Sequence, residues 1–101
     1  MSTLEVTFVR IYVTEGKAKK EQILECLHDQ EKVRGVTVFR GVAGFGQSGH
    51  MHSSSLLATS MDLPLVVEFF DEPQRVAAIL KHLRGRVKPG HIVSWNATLY
   101  L

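Results

Sequence analysis

Between Leu4 and Val13 the chain carries apolar side chains on both sides of one extended segment. Leu4, Val6 and Phe8 fall on one side, with Tyr12 further along it, while Val9, Ile11 and Val13 fall on the other. A strand polar on one side can lie at the surface of a sheet. A strand apolar on both sides in its middle has to be covered twice, so this one is expected at the centre of a sheet.

The remaining punctuation supplies the sheet's partners. Thr14-Glu15-Gly16 breaks the first strand, and Lys17 to about Gln30 reads as a helix whose apolar stripe is Ile23, Leu24 and Leu27, flanked by Cys26 and His28. Val36 and Val38 alternate with Thr37 and Phe39 in a second strand. Gly41 to Ser55 follows, with four glycines and four serines in 15 residues, a long segment for so small a chain. Leu56 to Thr59 reads as a short strand or helical turn, and Met61 to Pro64 as a turn. Leu65 to Phe70 is the third strand. Asp71 is the expected N-cap of a second helix that reaches about Leu83, with Pro73 in its first turn and Val76, Ile79, Leu80 and Leu83 inward. Ile92 to Leu101 closes the chain as a fourth strand, Ile92, Ser94, Asn96 and Thr98 opposite Val93, Trp95, Ala97 and Leu99.

This order predicts an α+β fold of the ferredoxin-like βαββαβ type: a four-stranded antiparallel sheet with two helices on one face. The chain of 101 residues is expected to form a single domain, residues 1–101. A chain of this length buries roughly 65% of its unfolded surface, enough for a core without staples. The sheet's second face has no helix to cover it, yet the strands carry apolar residues there too. A bare apolar face of that size is one that monomers avoid, so self-association is expected.

Several classes drop out. No apolar run approaches the ~20 residues of a membrane span, so direct membrane insertion is not expected. The Met1-Ser2-Thr3-Leu4-Glu5 start lacks the pattern of a secretion signal, and the expected location is the cytoplasm. One cysteine, Cys26, excludes an internal disulfide framework and a multi-cysteine zinc site. The segment Val36-Thr37-Val38-Phe39-Arg40-Gly41 does not match an RNA-binding signature strand, so nucleic acid is not an expected partner.

The net charge of +2 conceals an asymmetry. All ten acids fall at or before Glu72, whereas Arg75, Lys81, Arg84, Arg86 and Lys88 follow it. Four of these five cations lie between positions 81 and 88, a concentration that points to an anionic partner. In Arg84-Gly85-Arg86-Val87-Lys88-Pro89-Gly90, guanidinium forks and exposed glycine amides suit a phosphate. A plain helix cap with Gly85 left-handed is the other reading of the same residues. Gly41-x-x-Gly44-Phe45-Gly46 lets backbone amides approach an anion, but it lacks the Gly-Lys-Ser/Thr ending of a P-loop, and a simple hairpin loop reads equally well. His50 and His52 form a His-x-His pair that could hold a metal, though no third ligand lies nearby in sequence. Cys26 reads as a buried thiol beside the helix stripe, and Glu68 as a carboxylate paired with a cation.

Gly35 to Gly46, then Met51-His52, then Asp62-Leu63-Pro64-Leu65-Val66-Val67-Glu68, resembles the PII-like family catalogued as domain of unknown function 190. The resemblance covers nearly the whole chain. It implies a ferredoxin-like subunit of a homotrimer. It also implies a regulator that binds a nucleotide, an adenine nucleotide above all, in clefts between subunits. Gly41 to Ser55 resembles the T-loop of that group and Arg84 to Gly90 its B-loop. By this likeness the ligand-binding residues are Arg40, Gly41, Gly44, Phe45 and Gly46 on one side and Arg84, Arg86, Lys88 and Gly90 on the other. The implied partner of the loop is a regulated protein such as a membrane transporter. The tyrosine that PII proteins modify is absent here, where serines stand instead. No enzymatic activity is expected. The alternatives are a small metal-binding trimer of the copper-tolerance type, using His50 and His52, or a protein with no ligand.

Overall fold

A computed structural model describes residues 1–13, 17–44, 52–53 and 64–101. Among these residues there are six strands and two α-helices: β1 (Thr3–Val13), α1 (Lys17–Glu25), β2 (Gly35–Arg40), β3 (Ala43–Gly44), β4 (His52–Ser53), β5 (Leu65–Asp71), α2 (Pro73–Leu83) and β6 (Ile92–Tyr100). Four strands form the main sheet in the order β2-β5-β1-β6, every neighbouring pair antiparallel. The expected ferredoxin-like arrangement is therefore present, with the doubly apolar β1 between β5 and β6. An added two-stranded ribbon pairs Ala43 with Ser53 and Gly44 with His52, so the Gly/Ser-rich segment is closed at its base by a short hairpin.

One face of the sheet lies under the helices. Val9, Ile11 and Val13 of β1 and Leu65, Val67 and Phe69 of β5 are buried there against Ile23, Cys26 and Leu27 from the first helix and Val76, Ile79 and Leu83 from the second. The inward residues of α2 recur at three- and four-residue steps, which stack on one helix face. Each fully buried aliphatic or aromatic side chain here stabilises the fold by roughly 1.5–3 kcal/mol. Cys26 belongs to this core, as its place beside the stripe predicts.

Two helix boundaries differ from the sequence pattern. The first helix ends in a π-helical turn, Cys26–Gln30, in which the Glu31 amide donates to the Cys26 carbonyl. Lys32 then takes a positive φ of 50° and turns the chain toward β2. At α2 the N-cap is Glu72, not Asp71, and Pro73 stands at the first helical position. Asp71 instead completes the inward alternation of β5. It is buried and accepts from the backbone amides of Arg34 (3.1 Å) and Glu72 (2.7 Å) and from Arg75 Nε (3.2 Å).

Among the described residues no helix lies on the second face. The pairings Phe8↔Phe70 and Phe8↔Trp95 place three aromatic rings in a row across β5, β1 and β6. Phe8 stacks on Phe70 at 4.9 Å and on Trp95 at 5.5 Å between centroids. Arg10 lies over the Trp95 ring at 5.3 Å and pairs with Glu68 at 2.7 Å. The Glu68 hydrogen bond, and after it one to Tyr12, holds the Arg10 guanidinium above its ordinary range. Phe39 and Val93 remain 47% exposed and Trp95 39% exposed on this side. No helix among the described residues is long and apolar enough to cross a membrane.

Candidate anion-binding groove

The site begins where α2 ends. The Arg84 amide donates to the Leu80 carbonyl at 3.0 Å, the last turn of the helix. Gly85 then adopts φ +90°, a conformation that side chains disfavour. The Arg86 amide returns to the Leu83 carbonyl at 2.9 Å, and the His91 amide to the Lys88 carbonyl at 3.2 Å. A second left-handed glycine, Gly90 at φ +83°, feeds the chain into β6. The two glycines thus fold seven residues into back-to-back turns that leave Arg84, Arg86 and Lys88 exposed.

These turns form one wall of an open groove of about 840 Å³. Leu80, Val87 and Ile92, all half-buried, give it an apolar floor. Its cations are Arg84, Arg86, Lys88 and Lys19, and none of the described residues lining it is acidic. Lys19 comes from α1, and its ammonium donates to the Arg86 carbonyl at 2.8 Å. The sequence pattern did not single it out. Lys19 and Lys20 are equivalent on a linear reading, and only the packing of α1 beside the 84–90 turns distinguishes them. An acid-free groove with guanidinium forks, ammonium groups and an apolar floor can hold a phosphorylated ligand that carries a flat or apolar moiety.

The other expected half of the site lies elsewhere in the chain. Arg40 pairs with Leu65 at the end of β2, and Ile92 pairs with Ile11 at the start of β6. Both segments sit at the same end of the sheet but on its two outer strands. Three interstrand spacings separate those strands, roughly 14 Å. The chain therefore gathers Arg84, Arg86, Lys88 and Gly90 in one groove and holds Arg40, Gly41 and Gly44 at the opposite edge.

Gly41 is also employed differently from the expectation that its amide faces an anion. That amide donates to the Pro64 carbonyl at 2.7 Å. A Cβ at position 41 would lie 2.7 Å from Pro64 Cγ, so the glycine is there to admit the proline ring. Phe45, Gly46 and His50 lie outside the described residues. His52 is placed only as the backbone of β4, paired with Gly44. Among the described residues no three His, Cys, Asp or Glu side chains gather as a metal site would require.

The model of the DUF190 family, described as "Uncharacterized ACR", matches residues 6–99. A UPF0166 protein of Aquifex aeolicus (strain VF5) is 29% identical over 91 residues, covering 85% of this chain and 86% of its own. Among solved structures, the chain is similar to CPII, a nitrogen regulatory PII-like protein from Thiomonas intermedia K12 bound to ADP, AMP and bicarbonate. The TM-score is 0.70 at 17% identity, over 99% of this chain and 91% of that one. CutA1 from Oryza sativa aligns with a TM-score of 0.59 at 12% identity, over 98% of this chain and 82% of its own. At these identities the structural likenesses establish the fold.

Proposed function

We propose that this chain, which belongs to the DUF190 family, is a non-enzymatic PII-like regulator that binds an adenine nucleotide between copies of itself. Three copies bury the open sheet face with its Phe70–Phe8–Trp95 row. The groove of one copy then meets the β2 edge of the next. Arg84, Arg86 and Lys88 hold the phosphates, the turns at Gly85 and Gly90 bring backbone close to them, and the floor of Leu80, Val87 and Ile92 takes the base. Arg40, with Gly44, Phe45 and Gly46 beyond it, closes the cleft from the neighbouring copy, and Gly41 seats that edge on Pro64. Ligand binding changes the affinity of the 41–55 segment for a partner protein such as a membrane transporter.

The observation that carries this reading is the groove lined by cations with no acid among its described residues. The two separated halves at one end of the sheet support the inter-copy cleft, because an edge-to-edge association joins them without any change within the chain. The solved CPII with ADP and AMP supports the choice of ligand.

Calorimetric titration with AMP, ADP and ATP tests it. The expected result is binding by the native protein and a loss of affinity on the order of a hundredfold in Arg84→Ala/Arg86→Ala, since two charge-assisted contacts are removed. No heat with any of the three, or unchanged affinity in the double variant, contradicts it.

A further inference from the structure

Lys19 is 67 positions away in sequence from the carbonyl it holds. Its ammonium meets Arg86 O at 2.8 Å, and its side chain lines the same groove as Arg84, Arg86 and Lys88. The neighbouring Lys20 lies 3.8 Å from Glu21 Oε1. An ammonium carries three donors, and the Arg86 carbonyl takes one of them. A carbonyl orients the cation without neutralising it. Among the described residues, the wall of the groove formed by α1 therefore presents an ammonium held in place by a neutral acceptor.

We infer that Lys19 is a fourth phosphate-binding cation and that it sets the preference of the groove for the number of phosphates on its ligand, favouring a nucleoside triphosphate over the monophosphate. The assignment rests on the nucleotide reading above. Coulomb attraction scales with the charge of the ligand, and each added phosphate raises that charge. One more cation in the groove thus strengthens ATP binding more than AMP binding. The described lining residues include no acid. A lysine that only tethered α1 to the 84–90 turns would act through the shape of the loop and would weaken every nucleotide alike. The ratio of affinities, not their absolute size, separates the two roles.

The test is calorimetric titration of the native protein, Lys19→Gln and Lys19→Arg with AMP, ADP and ATP at one low salt concentration. Lys19→Gln keeps most of the stem and removes the charge. Its ATP affinity is expected to fall about tenfold, its ADP affinity less and its AMP affinity least, as the loss of one charge-assisted contact requires. Lys19→Arg keeps the charge and is expected to retain the native ATP-to-AMP ratio. Thermal unfolding midpoints close to native in both variants show that the loop is intact. Equal weakening of all three nucleotides in Lys19→Gln, or a native ratio there, overturns the assignment. So does an arginine variant that loses the preference as fully as the glutamine variant. Should the native protein bind none of the three, the nucleotide reading itself fails. A native protein that binds, with a ratio Lys19 does not move, removes only the assignment of Lys19.

Discussion

Two groups of basic side chains lie along and beyond the second helix, and they are treated in opposite ways. In the seam between the end of the first helix and α2, Arg75 meets the Asp71 carboxylate and the Glu31 carbonyl, and His82 meets the Glu31 carboxylate. Past the end of the same helix, Arg84, Arg86 and Lys88 share a groove with Lys19, and no described lining residue there is acidic. The seam is closed on itself: cation, carboxylate and buried backbone amides satisfy one another. The groove is walled by turns that leave Arg84 and Arg86 exposed. The difference separates a cation set against a carboxylate from cations gathered beside neutral described residues, although both kinds stand in a similar run of basic residues when read along the sequence.

Substitutions that affect one region and spare the other would sharpen this contrast. The largest effect on folding is expected from Asp71→Ala, which leaves the Arg34 and Glu72 amides without their buried acceptor. Urea unfolding should show a loss of about 3 kcal/mol, little of it from the half-exposed Arg75 pair. The nucleotide affinity of the folded fraction should stay native. The Arg84→Ala/Arg86→Ala variant should do the reverse, losing ligand while its unfolding free energy stays within about 0.5 kcal/mol of native. A comparable loss of stability in the two variants would dissolve the distinction between the regions.

Trp95→Asp acts on a third surface, the open sheet face. It places a carboxylate in the aromatic row where Trp95 is 39% exposed in one chain. Sedimentation is expected to show a single chain in place of three, with far-ultraviolet dichroism retained and nucleotide binding lost. A variant that remains trimeric would show that another surface joins the copies. Gly85→Ala is smaller. Nothing lies within 4 Å of the added methyl, so only the φ of +90° is opposed. A loss of about 1 kcal/mol in unfolding free energy is expected. The smallest effect is expected at His82→Gln, since the imidazole is 63% exposed. The unfolding free energy from urea titration should change by less than about 0.5 kcal/mol.

The strand order was legible because apolar residues on both sides of β1 demand two neighbours, and the register supplies β5 and β6. The same alternation, followed one residue past Phe70, would have placed Asp71 in the strand and the cap at Glu72. The sequence weighed the capping preference of aspartate above the inward rhythm of Leu65, Val67 and Phe69. The π-helical turn at Cys26–Gln30 left no signal, because its widened hydrogen bonds follow from how the helix leaves the core. In the groove, the basic run and its glycines announced the 84–90 turns. Lys19 was hidden, since only tertiary packing brings α1 to the Arg86 carbonyl. The Gly41 amide was misjudged for the same reason: its acceptor, Pro64, is a neighbour in space across the intervening segment.

The central claim is that each ligand site is shared by two chains, and complementation between variants tests it most directly. Arg40→Glu/Gly44→Asp damages one half of the proposed cleft, and Arg84→Ala/Arg86→Ala damages the other. Each variant alone is expected to leave most of its clefts empty at ATP concentrations that saturate the native protein. When equal amounts are combined before assembly, a shared cleft predicts that about one cleft in four has two intact halves and binds with native affinity, as random assortment in a cyclic trimer requires. A mixture as silent as its parents, or an Arg40→Glu/Gly44→Asp protein that binds as the native one does, would contradict the claim.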